Sequence, residues 1–364
     1  MTLKTADFAQ ILLKWHKYKN HRKMPWKGEK NPYRIWLSEV ILQQTRVDQG
    51  MSYYEKFLDA FPTIHDLATA PEKKVFKLWE GLGYYNRCRN LIFTAKKIDA
   101  EYNGQFPNTY EAILSLKGIG PYTAAAIASF AFRLPYAVVD GNVTRILSRY
   151  YGEFTPIDSS KGKKLYADLA DALLDRKQPD LYNQAIMDFG ATVCLPRNPL
   201  CKDCTQNGQC QAWQKGWTSE LPIKEKSIRK KQRWLYYFIV ETTDDKVYIR
   251  QRTGKYIWEG LFEFVLHESD QPLYFNEKAG SPSDLTRQLF GRQPVITKHI
   301  SRIYKQELTH QTIQGQFITI STKTALTTLN DYLLIDRQQL PDYAFPKFIN
   351  AWREDSTTAQ SLLF

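Results

Sequence analysis

Cysteine is scarce in this chain, with five residues among 364, and four of the five lie in one short segment. Cys194, Cys201, Cys204 and Cys210 follow the pattern C-x6-C-x2-C-x5-C. A cysteine-poor chain is not typical of a secreted fold held by disulfides. Four thiols so close together predict one metal site, and the remaining Cys88 is interpreted as a small core residue.

The spacing leaves two kinds of metal site open. Structural zinc usually takes two C-x2-C pairs separated by a longer stretch. Here a single pair, Cys201 and Cys204, is flanked by one cysteine on each side. Four thiolates are also the ligands of a [4Fe–4S] cluster. The spacing favours the cluster, and zinc stays as the alternative.

Long apolar runs are absent as well. The longest, over 124–132, is interrupted by Ser129 and ends at Arg133, whereas a membrane-spanning helix needs about 20 apolar residues. The N-terminal MTLKTADFAQ lacks the basic and then apolar order of a signal peptide. We therefore expect a soluble protein of a reducing compartment with no membrane partner.

Acidic residues are outnumbered, with 38 Asp and Glu against 50 Lys and Arg, which gives a net charge of +12. That excess favours a polyanionic partner, and a basic surface that only confers solubility is the alternative. An apolar fraction of 43% is enough for ordinary globular cores.

The pattern along the chain predicts two domains of different class. Helical apolar periodicity continues to about residue 210, and a basic stretch without periodicity follows over 224–233. Strand-like runs then occur at 234–240, 246–252, 260–266 and 315–320, with a short helix at 284–290. We predict an all-α domain over 1–215, a linker over 216–233, an α/β domain over 234–355 and a tail over 356–364.

The segment LKGIGPYTA at 116–124 predicts a tight hairpin between two helices. Gly118 and Gly120 flank one apolar residue, and an alanine-rich helix follows. The backbone N–H groups of such a hairpin and the helix N-terminus can hold a DNA phosphate without reading sequence. A plain turn is the alternative interpretation.

Two carboxylates stand out from their surroundings. Glu39 lies in an apolar helical stretch, where burial would favour its protonated form and prepare a general acid. Alternatively, Glu39 faces water or pairs with Arg46. Asp140 follows an apolar run and precedes a helix, where an N-cap is the commonest use of Asp.

Taken together, several motifs in order resemble the MutY family of adenine DNA glycosylases, within the endonuclease III-like, helix-hairpin-helix superfamily. They are LSEVILQQTRV at 37–47, GLGYYNRCRN at 81–90, LKGIGPYTAAAIASF at 116–130, VVDGNVTRILSR at 138–149 and the cysteine segment. The resemblance implies a helical catalytic domain with a [4Fe–4S] loop and a MutT-like second domain. It also implies a monomer of the bacterial cytosol and nucleoid.

For activity, the resemblance implies removal of adenine paired with 8-oxoguanine or guanine, from a base flipped out of the duplex. Glu39 matches the general acid that protonates adenine and later helps to activate water. Asp140 matches the carboxylate that stabilises the oxocarbenium-like sugar, and Tyr122 and Asn142 match neighbours that orient this centre. Relatives with lyase activity carry Lys where this chain has Tyr122, so we predict a monofunctional glycosylase. Lys117 is the closest candidate for residual lyase activity.

Further positions match residues that contact DNA, the base or the metal in the family. The lesion side and the stacking wedge match Gln44, Thr45, Leu82 and Tyr84, and the hairpin supplies Gly118 and Gly120. The adenine pocket matches Arg22, Met24, Trp26, Lys27 and Gln184. The lesion-reading loop matches Thr309 and His310, and the cluster ligands match Cys194, Cys201, Cys204 and Cys210.

The chain departs from the family pattern at three places. Lys27 stands where the family often has Arg, which weakens any bidentate contact. Leu308 stands where the lesion-reading loop often has Phe. The Nudix metal-ligand signature is absent after Glu263, so the second domain is expected to bind and not to hydrolyse.

Other functions remain to be separated by experiment. A bifunctional endonuclease III-like glycosylase and AP lyase is one alternative, and a non-catalytic DNA-damage-binding protein is another. The terminal residues Gln360 to Phe364 resemble peptides that dock into the bacterial sliding clamp, although a tail packed on its own domain is the alternative.

Overall fold

The computed structural model describes residues 5–24, 26–43, 45, 47–225, 230–254, 257–275, 283–291, 293–324 and 326–361. The chain divides into two compact units. The helical unit comprises Met1–Thr69 and Asn90–Ser227, and the sheet unit comprises Ala70–Arg89 and Ile228–Phe364. The segment predicted as a tail over 356–364 continues a helix as far as Ser361. Side chains beyond 355 and all of 362–364 are not described, so the predicted clamp-binding contacts of Gln360 to Phe364 lie outside the described structure.

This division differs from the predicted boundaries in two respects. Residues 70–89, which share the helical periodicity of the first half, group with the sheet unit. The first strand begins at Lys231, inside the segment predicted to be a linker. The reason is that long-range packing, which periodicity does not report, decides which unit a helix joins.

Twelve helices precede the first strand in the described chain. They are α1 (Thr5–Lys19), α2 (Pro32–Leu42), α3 (Val47–Ala60), α4 (Ile64–Thr69), α5 (Glu72–Trp79), α6 (Tyr85–Tyr102), α7 (Tyr110–Leu114), α8 (Pro121–Phe132), α9 (Gly141–Tyr151), α10 (Ser160–Leu173), α11 (Pro179–Thr192) and α12 (Gln211–Gln214). The largest core of the helical unit joins α1, α9, α10 and α11 through residues such as Phe8, Leu147, Tyr166 and Phe189. None of the helices in the described ranges is long and apolar enough to span a membrane.

The described part of the sheet unit contains eight strands and two further helices. They are β1 (Lys231–Thr242), β2 (Lys246–Gln251), β3 (Phe262–Glu263), β4 (Val265–Ser269), α13 (Ser283–Phe290), β5 (Ile296–Ile300), β6 (Tyr304–Glu307), β7 (Gln311–Thr322), β8 (Leu333–Asp336) and α14 (Lys347–Ser361). Two 3-10 segments, Thr327–Leu329 and Arg337–Asp342, flank β8.

The sheet is mixed, with the order β3-β2-β1-β7-β5. Strands β1 and β7 pair in parallel along their full length, and the other pairings are antiparallel. Side chains alternate between the two faces of a strand. Tyr236 and Phe238 therefore enter the core that contains α13, while Tyr237 contacts Phe317 and Phe348 on the α14 side. The predicted fold class, an all-α unit followed by an α/β unit, is confirmed.

Candidate active site and DNA-binding surface

Glu39 is a buried carboxyl group in α2. The helix begins at Pro32, because the Asn31 side chain accepts the Tyr33 N–H at 2.9 Å and Pro32 suits the first turn. Glu39 is only 8% exposed, and the Tyr122 hydroxyl donates to its Oε2 at 2.6 Å. Burial raises the pKa of Glu39 to about 7; the Tyr122 hydrogen bond lowers it and the charge of Asp140 raises it. Such a group can give up a proton near neutral pH.

Asp140 is the N-cap of α9, as the commoner interpretation of the sequence had it. Its Oδ1 accepts the Val143 N–H at 2.7 Å, and its Oδ2 accepts the Asn142 side-chain amide at 2.8 Å. Capping does not exclude a chemical role, because the same hydrogen bonds fix the carboxylate close enough to Glu39 to raise the pKa of that group. The structure therefore brings Glu39, Tyr122, Asp140 and Asn142 together in the helical unit.

Arg145 connects this centre to the cysteine segment. Its Nη2 donates to Asn142 Oδ1 at 2.9 Å and to the Gly190 carbonyl at 2.7 Å. Its Nε donates to the Cys194 carbonyl at 2.8 Å. The Arg145 guanidinium therefore contacts both Asn142, which donates to Asp140, and the backbone of Cys194.

The residues predicted to form an adenine pocket meet around one buried carboxylate, Asp188. Its oxygens accept hydrogen bonds from Arg22 at 2.9 Å, Lys27 at 3.0 Å and Gln184 at 3.1 Å. Asn20 adds a fourth donor at 2.7 Å. Asp188 itself is completely buried, and a carboxylate in that position is stable only when it is paired.

Two other predicted pocket residues lie near this cluster in sequence. Trp26 is buried and meets Tyr54 edge to face, with ring centroids 5.6 Å apart. Met24 is half-buried. Lys27 also donates to the Arg22 carbonyl at 3.1 Å, so a hydrogen bond joins Lys27 to Arg22 within the same segment.

The predicted hairpin forms between α7 and α8. Gly118 has φ +81°, and a Cβ there would lie 2.6 Å from Asn90 Cβ, so only glycine fits. Gly120 is the N-cap of α8 and Pro121 follows it. Lys117 is exposed, and its ammonium group lies 4.3 Å from the centre of the half-exposed Phe93 ring. A cation and a helix N-terminus thus stand together on the surface.

Tyr84 and Thr309 meet in the sheet unit. The Tyr84 ring is 47% exposed, and its hydroxyl lies 2.9 Å from the Thr309 hydroxyl. Thr309 and the exposed His310 form the turn between β6 and β7. Leu82, which was predicted beside Tyr84, is buried at 6% exposure. Thr45 is half-buried, and Gln44 lies outside the described residues.

The four clustered cysteines line one small cavity between α9, α11 and their own loop. Arg149 donates to Cys194 Sγ at 3.4 Å, and the Gln206 N–H donates to Cys204 Sγ at 3.4 Å. Among the described residues, no group of three or more His, Cys, Asp or Glu side chains is arranged to hold a metal ion. A cluster makes a different demand, since each thiolate binds its own iron.

Comparison with known proteins decides the family. Residues 37–169 match the HhH-GPD superfamily of base excision DNA repair proteins. The chain is 36% identical over 260 residues to the adenine DNA glycosylase of Buchnera aphidicola subsp. Baizongia pistaciae, which covers 71% of this chain and 74% of that protein. The chain belongs to the adenine DNA glycosylase family.

Two further similarities agree with this assignment. The adenine DNA glycosylase of Rattus norvegicus is 40% identical over 241 residues, covering 62% of this chain and 46% of that protein. The solved structure of a thermostable thymine-DNA glycosylase matches with a TM-score of 0.54 and 29% identity, covering 58% of this chain and 97% of the other. The chain is therefore a base excision repair enzyme, and DNA is its partner.

The sequence did not single out Asp188, the carboxylate around which the predicted pocket residues meet. The signal was weak but present. Asp188 lies four residues after Gln184 on α11, between the buried Ile186 and Phe189, so helical spacing predicts a carboxylate turned toward the interior. Arg145 carried no comparable signal, because its partners are contributed by distant segments.

Proposed function

We propose that this glycosylase hydrolyses the N-glycosidic bond of adenine paired with 8-oxoguanine or guanine, without cutting the DNA strand. The observation that carries the proposal is the buried Glu39, whose pKa lies at about 7 beside the Tyr122 hydroxyl at 2.6 Å. A carboxyl group protonated near neutral pH is what departure of a neutral base requires.

In the proposed reaction, Glu39 donates its proton to a ring nitrogen of the flipped adenine. The bond between the sugar C1′ and the base nitrogen breaks, and its electron pair leaves with the base. The Asp140 carboxylate, fixed by Asn142 and Val143, stabilises the positive charge on the sugar. Water then adds to C1′ and gives a proton to Glu39, which restores the acid.

The absence of an amine at Tyr122 supports a monofunctional enzyme. A Schiff base with the sugar needs a nucleophilic amine beside the reacting carbon. Tyr122 instead donates to the acid. Any residual strand cleavage is assigned to Lys117. We expect it to be weak, because the Lys117 ammonium group lies over the Phe93 ring.

The Asp188 cluster supports recognition of adenine. Asp188 collects Arg22, Lys27 and Gln184 around one point of α11. Their remaining hydrogen-bond donors, together with the Trp26 indole, supply polar and stacking contacts for a flipped purine. The Arg and Lys contacts are single hydrogen bonds to different carboxylate oxygens, in agreement with the departure from the family pattern at Lys27.

The pairing of Tyr84 with Thr309 supports recognition of the lesion opposite the adenine. An exposed ring can stack in the gap that a flipped base leaves, and a hydroxyl can bond the base edge. The two hydroxyl groups lie 2.9 Å apart, so both functions would act at one point of the duplex. His310, exposed on the same turn, is assigned to the same contact.

The cysteine loop is proposed to hold a [4Fe–4S] cluster through Cys194, Cys201, Cys204 and Cys210. Burial raises the pKa of Cys204 to about 12, so thiolates gathered in this cavity need bound cations to be stable. The cluster would cross-link the loop and supply no step of base removal. Brown protein with iron and acid-labile sulfide supports this assignment, and colourless protein with one zinc per chain contradicts it.

A duplex assay tests the proposed activity. A duplex carrying adenine opposite 8-oxoguanine, labelled on the adenine strand, is incubated with the protein and divided into two portions. We expect strand breakage at the adenine only in the portion treated with alkali. Breakage without alkali contradicts the monofunctional assignment, and binding without breakage contradicts catalysis. A duplex with cytosine opposite 8-oxoguanine is the matched control.

A further inference from the structure

Residues 70–89, which we call the arm, lie in the sheet unit and contain α5, the turn that presents Tyr84 and the first residues of α6. The arm packs against the loop that precedes β3. A Cβ at Gly260, which has φ +88°, would lie 2.8 Å from the Phe76 ring. At the far end, Arg89 donates to the Glu259 carbonyl at 2.6 Å and pairs with its carboxylate at 2.9 Å.

Glu80 fastens the middle of the arm. It is the C-cap of α5, and its Oε1 accepts the Phe345 N–H at 2.8 Å and the Asn350 side-chain amide at 2.7 Å. Its other oxygen, Oε2, accepts a hydrogen bond from the Lys77 ammonium group, which also donates to the Tyr343 carbonyl at 3.2 Å. The Glu80 side chain is 15% exposed. One carboxylate thus joins α5 to the start of α14.

The turn within the arm needs such an anchor because its glycines allow many backbone conformations. Gly81 and Gly83 have φ +92° and +74°, and Tyr84 has φ +50°, a region that non-glycine residues rarely occupy. Side chains held in that region persist only when the surroundings determine them. Glu80 fixes one end of this turn, and the Tyr84 to Thr309 contact lies at the other.

We infer that Glu80 is a positioning residue for lesion recognition: by tying the arm to α14 it fixes Tyr84 beside Thr309, and so sets the preference for 8-oxoguanine opposite adenine. This inference rests on the proposed function. Glu80 belongs to the sheet unit, whereas Glu39 and Asp140 belong to the helical unit. Loss of Glu80 should therefore change selection of the opposite base and leave the chemistry of adenine release intact.

Excision on two duplexes tests the inference, with adenine opposite 8-oxoguanine in one and opposite guanine in the other. For Glu80→Ala, the ratio of the two single-turnover rate constants should fall about tenfold, because two hydrogen bonds to a carboxylate are lost. The rate opposite guanine should stay within about twofold. Both rates come from one preparation, so a fraction of misfolded protein cancels in the ratio.

Three further variants distinguish loss of the Glu80 hydrogen bonds from a general disturbance of the fold. Glu80→Gln keeps an oxygen that can accept both the Phe345 N–H and the Asn350 amide, and should retain most of the ratio. Asn350→Ala removes one donor and should give an intermediate loss. Glu72→Ala, an exposed change on the same helix, should leave the ratio unchanged. A ratio in Glu80→Ala equal to that of the unaltered protein overturns the inference.

Hydrogen exchange on the full chain gives a readout that does not depend on activity. In Glu80→Ala the Phe345 amide and the amides of 81–85 should exchange at least tenfold faster, since the anchor is gone. Unchanged exchange overturns the positioning role. If the unaltered protein excises adenine equally from both duplexes, the proposed lesion specificity fails and its dependence on Glu80 fails with it. If the unaltered protein shows a preference that Glu80→Ala retains, only the inference about Glu80 fails.

Discussion

Replacing Glu39 with Gln should stop excision and, at alkaline pH, make the protein more stable. In the folded chain, burial raises the pKa of Glu39 from its ordinary value of 4.5 to about 7. A group whose pKa is raised by folding contributes stability that is fully present below pH 4.5 and is lost as the pH rises to about 7. Glutamine does not titrate, so its variant escapes that loss.

The magnitude follows from the difference between the two pKa values, which is about 2.5. A difference of one corresponds to about 1.4 kcal/mol. The free energy of unfolding of Glu39→Gln, relative to that of the unaltered protein, should therefore rise by about 3 kcal/mol between pH 4.5 and pH 8. No discount for solvent screening applies, because Glu39 is 8% exposed.

Urea unfolding at several pH values, followed by far-ultraviolet circular dichroism, measures this difference. Two neighbouring variants serve as matched controls of opposite sign. Tyr122→Phe removes the hydrogen bond that lowers the pKa of Glu39, so the loss of stability should extend to higher pH. Asp140→Asn removes the charge that raises this pKa, so the loss should end at lower pH. A stability difference independent of pH would refute the reasoning, since it means that Glu39 titrates as an ordinary carboxyl group.

Three further substitutions have definite expected outcomes. Asp188→Asn removes the buried partner of two cations, and urea unfolding should show a loss of about 3 kcal/mol; a loss below about 1 kcal/mol contradicts the pairing. Lys117→Met should lower the slope of log affinity against log salt by about one, while Lys164→Met, on the exposed face of α10, leaves it unchanged. Gly118→Ala should weaken DNA binding at least tenfold in a fluorescence anisotropy titration, because a Cβ does not fit the hairpin; unchanged affinity contradicts the assigned role of the hairpin.

The sequence predicts those parts of the site that depend on residues close together in the chain. Glu39 interrupts an apolar helix, Asp140 precedes a helix start, and Gly118 with Gly120 outlines a hairpin. Each feature is complete within about ten residues, so it needs no knowledge of tertiary contacts. In the structure, the charge of Asp140 raises the pKa of Glu39, so these two carboxyl groups interact.

The parts that the sequence does not predict depend on segments far apart in the chain. Asp188 meets Arg22 and Lys27 only because their segment reaches it from more than 150 residues away. The arm over 70–89 has the same helical periodicity as its neighbours, yet it groups with the sheet unit, where Glu80 contacts the start of α14. Such partners follow from packing, which local patterns do not encode.

Glu39 is proposed to supply the proton that releases adenine. Free adenine formed in a single turnover, measured by chromatography on a duplex with adenine opposite 8-oxoguanine, tests it most directly. We expect Glu39→Gln to bind this duplex as tightly as the unaltered protein and to release adenine at least about a thousandfold more slowly. Adenine release by Glu39→Gln at a near-normal rate would contradict the assignment of Glu39 as the acid.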